Sequence, residues 1–259
     1  MNDPAVELQR VEKRFRDHAV LRGVDLRIAR GETFTILGGS GSGKSVCLKL
    51  MIGLLRVDAG RVSLLGTDVT ALREHAWVSL RRRCGMVFQG AALFDSLSVL
   101  ENVAFPLRQH ERHSEAQVRE RVAACLEAVG LPGVEAMLPA ELSGGMRKRV
   151  GVARAIALEP ELVFYDEPTT GLDPANARRI AELILALNER LHVTSVVVTH
   201  DLDLCFAVSD RLALLKSGRI AACGNVEEMR SSTNPDVRAY FEGIQDAAEG
   251  REEERAHGS

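Results

Sequence analysis

Polar and apolar residues alternate along the first part of the chain: Val6, Leu8 and Val11 lead into a stretch ending at Phe15, and Val24, Leu26 and Ile28 recur within Leu21 to Ile28. Side chains on a strand point to opposite faces in turn, so this period predicts two half-buried strands. The pattern then changes: Thr33 to Leu37, Gly85 to Phe88, Leu162 to Tyr165 and Thr194 to Thr199 are short and almost wholly apolar or β-branched. Such runs predict strands covered on both faces, as in a parallel sheet. Asp58 to Val69 reads as a turn and a strand, and Leu212 to Leu215 with Arg219 to Ala222 reads as a closing hairpin around Ser217 and Gly218.

Helical periodicity lies between these runs. Val46 to Leu55 predicts a helix closed near Gly53. Ser98 and Glu101 stand at capping-box spacing, with Pro106 expected to stop the helix they begin. Ser114 to Val129 places Val118, Val122, Cys125, Leu126 and Val129 on one face. A further helix runs from Leu142 to about Ala157, and another starts at the cap Asp173 with Pro174 in its first turn. The stretch from Ser98 to Gly130 holds no strand pattern, which predicts a small helical subdomain inserted into an α/β core. The tail beyond Gly243 is expected to be disordered.

The candidate chemistry begins where the third strand ends. Gly38 to Ser45 reads GGSGSGKS, and small residues there let successive backbone N–H groups form a concave cradle for phosphate oxygens. Lys44 supplies a positive charge, Ser45 a hydroxyl for Mg²⁺, and the following helix its positive end. The strand Leu162 to Glu167, LVFYDE, ends in two acids that must face different ways. Asp166 is expected to act through Mg²⁺ beside Ser45. Glu167 would polarise an attacking water, its backbone held extended by Pro168.

Composition narrows the class. The 259 residues, 46% of them hydrophobic, suit one large domain or a core with a subdomain. A formal charge of -3 gives no general attraction to nucleic acid. Five scattered cysteines without a CxxC pair support neither disulfides nor zinc. There is no signal-peptide core and no apolar run long enough for a membrane span, so a membrane role would come through a partner.

Taken in order, these motifs resemble the nucleotide-binding subunits of ABC transporters. GGSGSGKS is similar to the Walker A loop, Gln89 to the Q-loop glutamine, LSGGM at Leu142 to Met146 to the signature, LVFYDE to Walker B, Gly171 to Asp173 to the D-loop, and His200 to the switch histidine. The resemblance covers roughly Val6 to Gly224 and implies a P-loop ABC cassette, residues 1–243, with an antiparallel β subdomain and a helical subdomain over about 90–160. It implies ATP and Mg²⁺ as ligands, with Phe15 stacked on adenine and Gly38, Gly39, Ser40, Gly41, Ser42, Gly43, Lys44, Ser45 and Val46 around the phosphates. Ser45, Gln89 and Asp166 would serve the metal, and Glu167, His200 and Lys44 catalysis. It also implies a homodimer in which Ser143, Gly144, Gly145 and Asp173 of one cassette meet the ATP of the other, beneath an integral membrane permease.

Two departures stand out. Val46 replaces the usual threonine, which predicts weaker nucleotide binding. Met146 replaces the signature glutamine and precedes Arg147, Lys148 and Arg149, expected either as a solvated helix face or as extra attraction for ATP. LSGGM with its basic run, FQGAALFDSLSVLENVAFPLR and NPDVRAYFEG are similar to the ATPases of Mla- and Mce-type lipid transport systems. That similarity implies a lipid-binding MCE-type partner and a place on the cytoplasmic face of the inner membrane. The alternatives are a cassette for lipoprotein release or amino-acid import, and a soluble ABC ATPase of translation or DNA repair. Asn234 to Gly243, with Val237, Tyr240, Phe241 and Ile244 at helical spacing, would dock on its own subunit or on the neighbouring cassette.

Overall fold

A computed structural model describes residues 3–110 and 114–243. The alternating N-terminal segments form β1 (Val6–Phe15) and β2 (His18–Ile28), which pair antiparallel from Val6 opposite Ile28 to Phe15 opposite His18. The next strand, β3 (Thr33–Leu37), is buried throughout and leaves this layer for a second sheet. After the glycine loop come α1 (Lys44–Met51), β4 (Ala59–Leu64), β5 (Thr67–Asp68) and α2 (Glu74–Arg81). The segment read as one strand over Asp58 to Val69 is thus two short strands, completing an antiparallel sheet of order β2-β1-β4-β5.

The chain continues through β6 (Cys84–Val87), α3 (Val99–His110), α4 (Glu115–Ala128), a 3-10 turn at Pro139–Glu141, α5 (Gly144–Ala155) and β7 (Leu162–Asp166). It closes with α6 (Pro174–Leu191), β8 (Thr194–Thr199), α7 (Leu202–Val208), β9 (Arg211–Lys216), β10 (Arg219–Asn225), α8 (Val226–Arg230) and a last helix over 235–243. The second sheet has the order β10-β9-β3-β8-β7-β6 and is parallel except for the β9–β10 hairpin. Strands β3, β8 and β7 lie side by side and parallel, so the residues that follow each of them emerge at one edge, where ligand sites of open α/β sheets form.

One expectation about the helices is corrected. Pro106 does not end its helix: α3 continues through it to His110. Proline costs about 3 kcal/mol in a helix interior. Against that, Val99, Val103, Ala104 and Leu107 are buried in a core shared with α4 and α5, each large apolar side chain contributing about 1.5 to 3 kcal/mol. The buried Asn102 also fixes the start of α3. Its Oδ1 accepts from the Phe94 N–H at 2.8 Å, while its Nδ2 donates to the carbonyls of Phe94, Leu97 and Ser98. The last helix packs on its own subunit. Val237 is fully buried among Leu37, Leu212, Leu214 and Met229, and the Phe206 and Phe241 rings meet edge to face at 5.5 Å. Ile244 and the expected disordered tail lie outside the described residues.

Candidate nucleotide site

The loop between β3 and α1 can turn as it does because of Gly43, which has φ +108 at the N-cap of α1; a Cβ there would lie 2.8 Å from Leu21 Cδ2. Around this loop lies a cavity of about 750 Å³ lined by Gly39 to Val46, Phe15, Gln89, Glu167 and His200. His18, Val20 and Tyr240 also line it. The structure therefore gathers at one site nearly all of the residues that the sequence assigned to phosphates, base and catalysis, and adds three. Tyr240 has no local signal beyond helical spacing; its arrival depends on the long-range packing of helix 235–243.

Each charged group is held by several others. Lys44, buried although cationic, donates to the carbonyls of Gly38 at 2.7 Å and Gly39 at 3.2 Å and lies 3.5 Å from Glu167 Oε1. Glu167 Oε2 accepts from Thr199 Oγ1 at 3.2 Å and from the His200 N–H at 3.3 Å, and lies 2.9 Å from His200 Nδ1. Ser45 Oγ donates to Asp166 Oδ1 at 3.3 Å. Burial raises the Asp166 carboxyl above its usual range, opposed by the Ser45 hydrogen bond. Burial likewise pushes the Tyr240 phenol up to about 12.

The backbone at Glu167 is not extended, as the following proline suggested. Its φ is +48, in the left-handed region. That conformation costs about 1 to 3 kcal/mol in a non-glycine residue and persists where surroundings over-determine it. Here the Glu167 N–H donates to Val198 O at 2.8 Å, the carbonyl accepts from Lys148, and the carboxylate is anchored as described.

The signature residues lie elsewhere. Ser143 and Gly144 are exposed, and the Ser143 side chain caps α5 by accepting from the Met146 N–H at 3.2 Å. Asp173 caps α6, its carboxylate accepting from the Asn176 N–H at 2.9 Å, which holds its pKa below the usual carboxylate range. None of Ser143, Gly144, Gly145 and Asp173 lines the phosphate cavity of the same chain. The basic run is not a uniformly solvated helix face. Arg149 donates to the Val129 and Gly130 carbonyls, and Lys148 is buried, its ammonium pulled below its ordinary range by burial against the opposing charges of Glu167 and Asp166.

A glycine loop between a buried parallel strand and a helix, a cation within it and two acids at the end of a neighbouring strand define a P-loop nucleotide-hydrolysing protein. Which kind follows from comparison. The sequence model of the family described as "ABC transporter" matches residues 21–170, and the chain belongs to that family. It is 38% identical to the intermembrane phospholipid transport system ATP-binding protein MlaF of Haemophilus influenzae, covering 95% of this chain and 93% of that protein. It is also 38% identical to the probable ribonucleotide transport ATP-binding protein mkl of Mycobacterium leprae, over 97% of this chain and 72% of that one. Among solved structures, the dimeric post-hydrolysis state of the cassette MJ0796 bound to ADP and Pi superposes with a TM-score of 0.79 at 34% identity, covering 85% of this chain and 98% of that chain. The chain is an ABC-type ATPase that binds ATP and couples its hydrolysis to transport. Among the described residues no helix is long and apolar enough to cross a membrane.

Proposed function

We propose that this chain drives phospholipid movement between membranes, working as a homodimer on the cytoplasmic face of the inner membrane, beneath a permease and with an MCE-type lipid-binding partner. The observation that carries this reading is the similarity to MlaF along almost the whole of both chains. The cassette is residues 1–243, with the helical subdomain over about 90–160.

Within the site, Lys44 and the amides of Gly39 to Ser45 bind the phosphates, and Phe15 covers the adenine. Ser45 and Asp166 offer oxygen donors of the kind Mg²⁺ prefers, and Gln89 joins them; bound there, Mg²⁺ would neutralise phosphate charge. Glu167 accepts a proton from the attacking water while His200 holds that carboxylate in line. Ser143, Gly144 and Gly145 complete the site from the second subunit.

Glu167→Gln tests the catalytic assignment. It should leave ATP binding and dimerisation intact while turnover falls by about a hundredfold or more; near-normal hydrolysis would remove Glu167 from this role. Copurification tests the cargo. Recovery of a permease and bound phospholipid supports the proposal, whereas a ribonucleotide bound to the permease itself, apart from the adenine nucleotide of the cassettes, favours the second reading, which the mycobacterial relative's name supplies.

A further inference from the structure

The signature helix carries a buried cation. Lys148 on α5 is 6% exposed, and its ammonium donates to two backbone carbonyls, those of Gln89 and, at 3.3 Å, Glu167. One side chain thus joins three elements: the helix that begins with the signature, the segment that leads from β6 into the helical subdomain, and the residue that follows β7. An ammonium is costly to remove from water, so two carbonyl partners are the least that its placement requires.

What it holds is a strained point. Glu167 has φ +48, and of the groups that fix it, Lys148 alone comes from the helical subdomain. The N–H is held by Val198, the carboxylate by Lys44, Thr170, Thr199 and His200, and the carbonyl also by the Thr170 N–H, all from the core. Arg154, also on α5, donates to the Ala91 and Ala92 carbonyls at 2.8 and 2.7 Å, so the helix and the segment after Gln89 stay tied together without Lys148. We propose that Lys148 is a positioning residue that makes the aim of the Glu167 carboxylate depend on the placement of the helical subdomain. Displacing that subdomain carries α5 with it and withdraws one of the two donors to the Glu167 carbonyl, leaving only the Thr170 N–H at 3.3 Å.

The inference rests on Glu167 acting as the base, so Glu167→Gln is assayed alongside. In the full-length chain, Lys148→Met should lower kcat for MgATP by about tenfold or more, the scale on which small misplacements of reacting groups act. KM should stay within about threefold and the melting temperature within a few degrees. Lys148→Arg, which keeps the charge and donors, should restore most of kcat. If the Met variant does not fold, Lys148→Gln, able to reach only one carbonyl, decides by the same readings. A kcat within about twofold of the parent in the folded Met or Gln variant overturns the proposal, as does an Arg variant no better than Met. Retained turnover in Glu167→Gln overturns the reading of the base and this inference with it, whereas an inactive Glu167→Gln beside normal Lys148 variants sinks this inference alone.

Discussion

Gly145 offers a perturbation whose effects on stability and on turnover separate. A Cβ built there would lie 2.6 Å from Asn176 Oδ1 and 2.9 Å from its Cγ, closer than real Cβ contacts, so Gly145→Ala must push the Asn176 side chain away. Asn176 Nδ2 donates to Asp173 Oδ2 at 2.6 Å, and the displacement therefore reaches the cap of α6. Loss of such a cap costs about 1 kcal/mol. Alanine in place of glycine within α5 returns up to about 1 kcal/mol of helix propensity. The two nearly cancel, and at about 2 to 4 °C per kcal/mol for a chain of this size the melting temperature should move by only a few degrees. Turnover should not be spared, because driving the buried methyl of residue 145 against Asn176 shifts the first turn of α5, whose amides on the proposed reading meet the γ-phosphate of the second subunit. Removal of one such preorganised donor lowers kcat by about 10² to 10³. Steady-state hydrolysis and a thermal melt on one preparation decide the matter. Turnover within about twofold of the parent, or a melting temperature lowered by about 8 °C or more, would refute the reasoning.

Two further substitutions address affinity. Val46→Thr adds one hydrogen bond to an ionised phosphate, worth about 1.5 to 3 kcal/mol, so KM for ATP should fall by about tenfold or more with kcat unchanged; an ATP titration showing no change makes the hydroxyl irrelevant here. Tyr240→Ala removes a ring from the wall of the nucleotide cavity and should raise the Kd for ATP by about tenfold, measured by calorimetry. An unaltered Kd would show that helix 235–243 does not support the phosphate loop.

Most of the sheet that carries the site was legible because burial on both faces leaves its mark on consecutive residues: Thr33 to Leu37 and Leu162 to Tyr165 read as strands from apolarity alone. Caps were legible for a similar local reason, since Ser98 with Glu101 and Asp173 with Asn176 bond within three residues. What escaped depends on distant contacts. Helix α2 has no side-chain cap and buries only Trp77 and Leu80, too few positions to set a period. Lys148 looked like surface because its carbonyl partners lie 59 and 19 residues away. The local bias of a residue before proline was outweighed at Glu167 by bonds from Val198, Thr199 and His200, all more than thirty positions along the chain.

The same geometry supports the proposal that a second subunit completes the site. Lys44, Glu167 and His200 lie within hydrogen-bonding or ion-pair reach in sequence, with Glu167 between the other two. On the proposed reading, a γ-phosphate seated on the loop would compete with Glu167 for the Lys44 ammonium, and the carboxylate so released would turn to water while His200 still holds its other oxygen. That exchange places new negative charge against a cavity to which the chain's own signature contributes no residue. Ser143 faces solvent, its oxygen accepting from the Met146 N–H and its O–H hydrogen left to donate. An exposed hydroxyl beside free amides at a helix N-terminus suits an anion presented from outside the chain. On the proposed reading the donor surface and the phosphate site it serves lie on different faces of one molecule, and two copies arranged head to tail would bring both pairs together at once.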